Sequence, residues 1–137
     1  MKKFDEKKIK EISEKYGLKL LLIFGSQANG KANKLSDYDF GFISARRLGY
    51  PERSNLAHNL SKLAQFPNVE EVDLKKAGPF LLKEVAKNNR VLFEKDFAYN
   101  DFFSYAARVY LESEQLFKLQ EAIYKNTINK YRQIIYD

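Results

Sequence analysis

Two aspartates spaced to share one face of a strand, Asp37 and Asp39, follow the turn-forming run Gly25-Ser26-Gln27-Ala28-Asn29-Gly30 by about seven residues. The apolar run from Leu18 to Phe24 predicts a buried strand. A Gly-Ser break at its end lets the backbone turn sharply enough for a polyphosphate to approach amide N–H groups. A short helix from about Gln27 would add its positive end to that anion site. The run from Tyr38 to Ile43 predicts a second strand, so Asp37 and Asp39 project from one side while Phe40 and Phe42 point to the core. Paired carboxylates hold hard divalent cations, and phosphoryl chemistry needs such a cation to align a polyphosphate and neutralise developing charge. The pair therefore points to magnesium and a nucleotide. Either half alone would be an ordinary turn or a solvated strand end; the two in this order, each on the strand the chemistry needs, carry the reading.

The elements that must position these residues follow in the order helix, strand, turn, strand, helix, strand, helix, strand, long helix. Ile9, Ile12 and Tyr16 line one face of a first helix that ends before Gly17. Leu56, Leu60 and Leu63 mark another, opened by Pro51 and closed before Pro67, and Pro79 opens a third over Phe80 to Asn88. Val69 to Leu74 and Arg90 to Glu94 read as short strands. Strands separated by helices around one sheet predict an α/β (α+β) layered domain.

The stretch from Gly25 to Phe40 resembles the Gly-Ser…Ser-Asp-x-Asp signature of nucleotidyltransferases of the DNA polymerase beta superfamily, and the whole chain is similar to its small branch, the minimal nucleotidyltransferases. The resemblance implies a polymerase-beta-like sheet with flanking helices, two Mg2+ ions, and ATP or another nucleoside triphosphate as substrate. Gly25 and Ser26 would hold the triphosphate, and Asp37 and Asp39 the metal. The family often carries Arg where Gln27 and Asn29 stand, so two cationic phosphate contacts have no counterpart here.

For a third carboxylate, Val69-Glu70-Glu71-Val72-Asp73-Leu74 resembles a Val-Asp-x-Val-Asp-Leu pattern of the family, with Glu70 at its first acid and Asp73 at its second. Strand alternation groups Glu70 with Val72 and Leu74, and Glu71 with Asp73. A polar face can receive a metal or an attacking hydroxyl without burying an unpaired charge, which favours Asp73 as the third catalytic and metal-binding residue. Glu70 stays open as the alternative.

With 137 residues and no cysteine, the chain can form one core without disulfides or thiolate zinc sites, and a soluble, cytoplasmic protein is expected. The Lys-rich start has no long apolar run, which argues against a signal peptide or membrane anchor. A formal charge of +6, from 24 Lys+Arg against 18 Asp+Glu, favours polyanion partners, although a solvated surface accounts for such a surplus more often. RNA binding is not expected, because no recognised RNA-binding aromatic motif appears. Arg46-Arg47, Lys75-Lys76 and the single histidine, His58, all read more simply as surface residues than as phosphate contacts or a base.

The last forty residues carry a separate message. Phe102, Ala106, Val109, Tyr110, Leu116, Phe117, Ile123, Tyr124, Ile128, Tyr131 and Ile135 recur at three- and four-residue steps, the pattern of one long amphipathic helix; Phe103, Leu111 and Leu119 fall outside the stripe. Such width divides the chain into a nucleotidyltransferase domain over residues 1–97 and a helix over 98–137 that packs on it and on a partner, with Phe117, Tyr124 and Tyr131 in the intermolecular face. A homo-oligomer stays open. Resemblance to the antitoxin branch implies that the partner is a HEPN-family ribonuclease toxin, and that AMP is moved onto one of its hydroxyls, a tyrosine, to silence it. A non-catalytic antitoxin that inhibits by contact is the alternative.

Overall fold

A computed structural model describes residues 3–30 and 37–137. Residues 31–36, including Ser36 of the signature, lie outside the described residues, as does the side chain of Asn29. The order of elements is α1 (Glu6–Tyr16), β1 (Leu18–Phe24), α2 (Ser26–Asn29), β2 (Tyr38–Ser44), α3 (Tyr50–Ala64), β3 (Val69–Asp73), α4 (Pro79–Lys87), β4 (Asn89–Glu94) and α5 (Ala98–Tyr136). The expected order holds: α5 starts at the expected residue 98, and α3 starts one residue before Pro51.

The strands form one mixed sheet in the order β3-β2-β1-β4. β1 pairs antiparallel with both β2 and β4, whereas β2 and β3 run parallel. Parallel neighbours need a long crossover, and α3 supplies it. β1 lies in the interior of the sheet, and its Leu20, Leu21, Leu22 and Ile23 are fully buried on both sides, which is why it reads as a continuous apolar run rather than an alternating one.

Alternation along β1 and β2 sorts the core into two layers. Leu21, Ile23, Phe40 and Phe42 meet α1 and α3 through Ile9, Tyr16, Leu56 and Leu60. Leu20, Leu22 and Phe24 meet α4 and α5 through Leu82, Val85, Phe102 and Ala106. α1 is fixed at its start by Asp5, whose carboxylate accepts from the Lys7 N–H at 2.9 Å. Gly41 lets the second layer close on the sheet: a Cβ there would stand 3.0 Å from Leu22 Cδ1 and 3.1 Å from Leu74 Cδ1. Gly41→Ala should therefore cost about 1–3 kcal/mol by overpacking. Urea unfolding checks this, and an unchanged midpoint would contradict the close approach.

α5 is 39 residues long, and only Ala98, Phe102 and Ala106 of it are buried. Its first half packs antiparallel on α4, where Phe80 stacks on Phe117 at 5.6 Å and meets Tyr110 edge-on at 6.4 Å. Phe117 thus takes part in the chain's own α4–α5 contact while remaining 46% exposed. Among the described residues no helix is long and apolar enough to cross a membrane.

Candidate active site

β1, β2 and β3 bring the signature residues to one end of the sheet. β1 ends in Gly25, whose backbone sits at φ 75°, ψ −150°. That region is essentially closed to residues with a side chain. A second constraint acts at the same atom: a Cβ on Gly25 would lie 3.0 Å from Asp39 Oδ2. The turn and the carboxylate are thus immediate neighbours, since Asp39 pairs with Phe24 at the end of β1. The Gly25 carbonyl accepts from the Ala28 N–H at 3.1 Å, closing the single turn of α2. With four residues, α2 has too short a row of aligned peptides for a full macrodipole, so the turn amides rather than a helix end would meet an anion.

Asn88, in the link between α4 and β4, donates its side-chain amide to the same carbonyl at 3.4 Å. Its neighbour Asn89 donates to Val85 O at 2.8 Å and to Tyr99 Oη at 3.1 Å, tying α4 and α5 to the sheet. No motif marks this pair in the sequence; only the crossing of α4 back to the sheet beside β1 puts it under the signature turn.

Asp39 pairs with Phe24 on one side and Glu70 on the other. Asp37 is exposed and Asp39 half-buried. Burial first, and then the neighbouring carboxylates of Glu70 and Asp37, push the Asp39 carboxyl above the usual aspartate range.

The register separates the two candidates for the third acid. In the parallel register Glu70 is the neighbour of Asp39, while Asp73 is the neighbour of Phe42, three positions further along and on the opposite face. Asp73 instead accepts the Lys75 N–H at 3.0 Å and closes the turn after β3. Glu71, on the face of Asp73, takes the Arg53 guanidinium at 2.6 Å. The polar face inferred from alternation is real, but it serves a structural ion pair and a turn.

The remaining candidates stand away from the carboxylates. Arg46 follows the far end of β2 and pairs with Glu52, and Arg47 is exposed. Lys75, past the far end of β3, donates to Ser44 O at 3.1 Å. His58 is exposed on α3.

Among the described residues no three acidic, histidine or cysteine side chains form a ready-made metal cage. The donor set nevertheless suits a hard cation. Asp39 and Glu70 are oxygen donors on neighbouring strand positions, with the exposed Asp37 near enough to act on Asp39. What the end of the sheet offers is a glycine turn open to a polyphosphate, set against two adjacent carboxylates with a third within reach.

This geometry has counterparts in known proteins. Residues 7–98 match the family model described as polymerase beta, nucleotidyltransferase. The protein adenylyltransferase MntA of Aphanizomenon flos-aquae (strain 2012/KM1/D3) is 26% identical over 126 residues, covering 82% of this chain and 79% of the relative. A solved toxin–antitoxin structure with AMP-PNP has a chain that superposes with a TM-score of 0.70 at 25% identity, over 90% of this chain and 98% of that one. The complex of the tri-AMPylated Shewanella oneidensis HEPN toxin with an MNT antitoxin shares the fold, at TM-score 0.63 and 23% identity, over 90% and 95% of the two chains. With its family model matched over most of its length and its signature residues assembled at one end of the sheet, the chain belongs to the polymerase beta nucleotidyltransferase family.

Proposed function

We propose that this chain is a protein adenylyltransferase of the antitoxin type, which moves AMP from ATP onto a tyrosine hydroxyl of a HEPN-family toxin in the cytoplasm and thereby silences it. The observation that carries the reading is the contact between the Gly25 turn and Asp39, with Glu70 alongside, in a chain similar to an adenylyltransferase. Gly25 and Ser26 expose backbone amides on which the triphosphate would rest. The acceptor hydroxyl attacks the α-phosphorus; the new bond is O–Pα, the bond to the bridging oxygen breaks, and pyrophosphate leaves. Glu70 takes the hydroxyl proton, the part that the sequence pattern gave to Asp73. Magnesium held by Asp37 and Asp39 would neutralise charge on the phosphates. Asn88 keeps the Gly25 carbonyl turned away from the triphosphate, so that the amides face it.

Glu70→Gln and Asp73→Asn separate the two candidate acids. The first should lower AMP transfer by at least about 10²-fold, because it removes a proton acceptor beside Asp39. The second should leave it within about threefold, since an asparagine oxygen can still accept the Lys75 N–H. Transfer of labelled AMP to the toxin measures both, and the opposite ranking would return the role to Asp73.

Inhibition by contact alone is the second reading, and the exposed half of α5 favours it. The two readings part on one result, namely whether the silenced toxin carries AMP.

A further inference from the structure

Past Phe117, α5 runs on to Tyr136 with every residue exposed except the half-buried Ile128: Tyr124 is 67% exposed and Tyr131 58%. At 1.5 Å per residue this free part is about 28 Å long. Two regularities in it identify what covers it. Tyr110, Phe117, Tyr124 and Tyr131 recur every seven residues. The first two are the residues on which Phe80 of α4 packs, and α4 stops there, at Pro79. Tyr124 and Tyr131 thus continue a helix-on-helix seam whose covering helix has ended. A seven-residue period is the repeat that keeps one face of a helix against another helix.

The second regularity is charge. Lys118, Lys125 and Arg132 follow Phe117, Tyr124 and Tyr131 by one residue each, forming a cationic row beside the aromatic one. Glu114 and Glu121 pair with the first two at 3.2 Å and 3.0 Å. Four residues before Arg132 stands Ile128, so the row loses its acids toward the end of the helix, where Lys130 adds a further cation. From Glu114 to Asp137 the cations Lys118, Lys125, Lys130 and Arg132 stand against Glu114, Glu121 and Asp137, and the ion pairs use Lys118 and Lys125 but not Lys130 or Arg132. A helix edged with carboxylates would be attracted to the two cations left without an ion pair, Lys130 and Arg132.

We infer that the free half of α5 docks one amphipathic helix of a partner protein, end-on to α4 along the Tyr124–Tyr131 seam, with acidic residues on the edge that meets Lys125 and Arg132. This deepens the proposed function, because it states which part of the chain holds the protein that carries the acceptor hydroxyl, and what that protein must present. It does not depend on nucleotide.

The test titrates the full chain, without nucleotide, with two synthetic helical peptides about 20 residues long, matched to the free length of α5. They share one Leu/Ile stripe and differ only in flanks of Glu or of Lys. The Glu peptide should bind at least roughly tenfold more tightly than the Lys peptide, and the preference should shrink as salt rises. Tyr124→Glu with Tyr131→Glu should abolish binding without moving the thermal midpoint, since both side chains are exposed, and Arg132→Glu should reverse the preference between peptides. Equal binding of the two peptides, no binding of either, or binding unaffected by the double variant would overturn the inference. So would a dimer of the chain at micromolar concentration that Tyr124→Glu dissolves, which would make a second copy the occupant. A chain that binds the Glu peptide yet transfers no AMP would refute the enzyme reading and leave this surface standing.

Discussion

Asp39→Asn should lower AMP transfer by about 10³-fold while the protein stays folded. Asp39 is the acid in contact with both the signature turn and Glu70, so it is the residue through which triphosphate, cation and acceptor would be brought together. Neutralising it removes a charge ligand from a site whose work is electrostatic. Its carboxyl is held above the usual range by burial and by two neighbouring acids, so the amide relieves repulsion and the fold should be no less stable. Single-turnover transfer, with a thermal melt of the same preparation, checks both halves. Asp37→Asn should show the same sign, and chelation by EDTA should silence the unaltered chain. Transfer at the unaltered rate in Asp39→Asn would remove the carboxylate pair from the mechanism.

Gly25→Val should cost at least about 10²-fold in transfer, for two independent reasons. Its backbone lies at φ 75°, ψ −150°, where a β-branched residue is strained by about 1–3 kcal/mol. A side chain grown there also enters within 3.0 Å of Asp39 Oδ2 and must push it aside. Both effects act on the surface that would receive the triphosphate, so ATP affinity should fall together with rate, unlike in Asp39→Asn, where the turn is intact. ATP binding by calorimetry, set beside the rate, distinguishes them. Unaltered affinity in Gly25→Val would show that the phosphates rest elsewhere.

Much of this site was legible in the sequence, and its limits are physical. Period-two alternation places Asp37 and Asp39 opposite Phe40 and Phe42, and both phenylalanines are indeed buried under α1 and α3. Alternation divides β3 correctly as well, with Glu70 on one face and Asp73 on the other. What it lacks is register: which face of β3 continues the Asp39 face depends on how the parallel strands align, and alignment is set by the α3 crossover, not by β3 itself. Polar residues on one face of an edge strand therefore looked like a site when they were a partner for Arg53 and a turn closure. Asn88 left no trace at all, because one asparagine before a strand is ordinary and its meaning comes from the contact with Gly25, 63 positions away.

The terminal helix shows the same boundary. The three- and four-residue spacing from Phe102 onward was enough to call one long helix and to show that its apolar stripe exceeds what a small domain can bury. It could not say where α4 stops covering that stripe. Phe117 lies where that cover thins, stacked on Phe80 yet still exposed, while Tyr124 and Tyr131 stand fully in the open.

Silencing of a HEPN toxin by this chain is expected to be a chemical act and not only an embrace. Its most direct measurement is the mass of a HEPN toxin after incubation with this chain, ATP and magnesium, followed by separation of the two proteins and assay of the toxin alone. The toxin should be heavier by one or more AMP groups, on tyrosine, and stay inactive after separation, whereas with Asp39→Asn in place of the chain it should be unmodified and active. A toxin of unchanged mass that regains activity once the two are parted would contradict it.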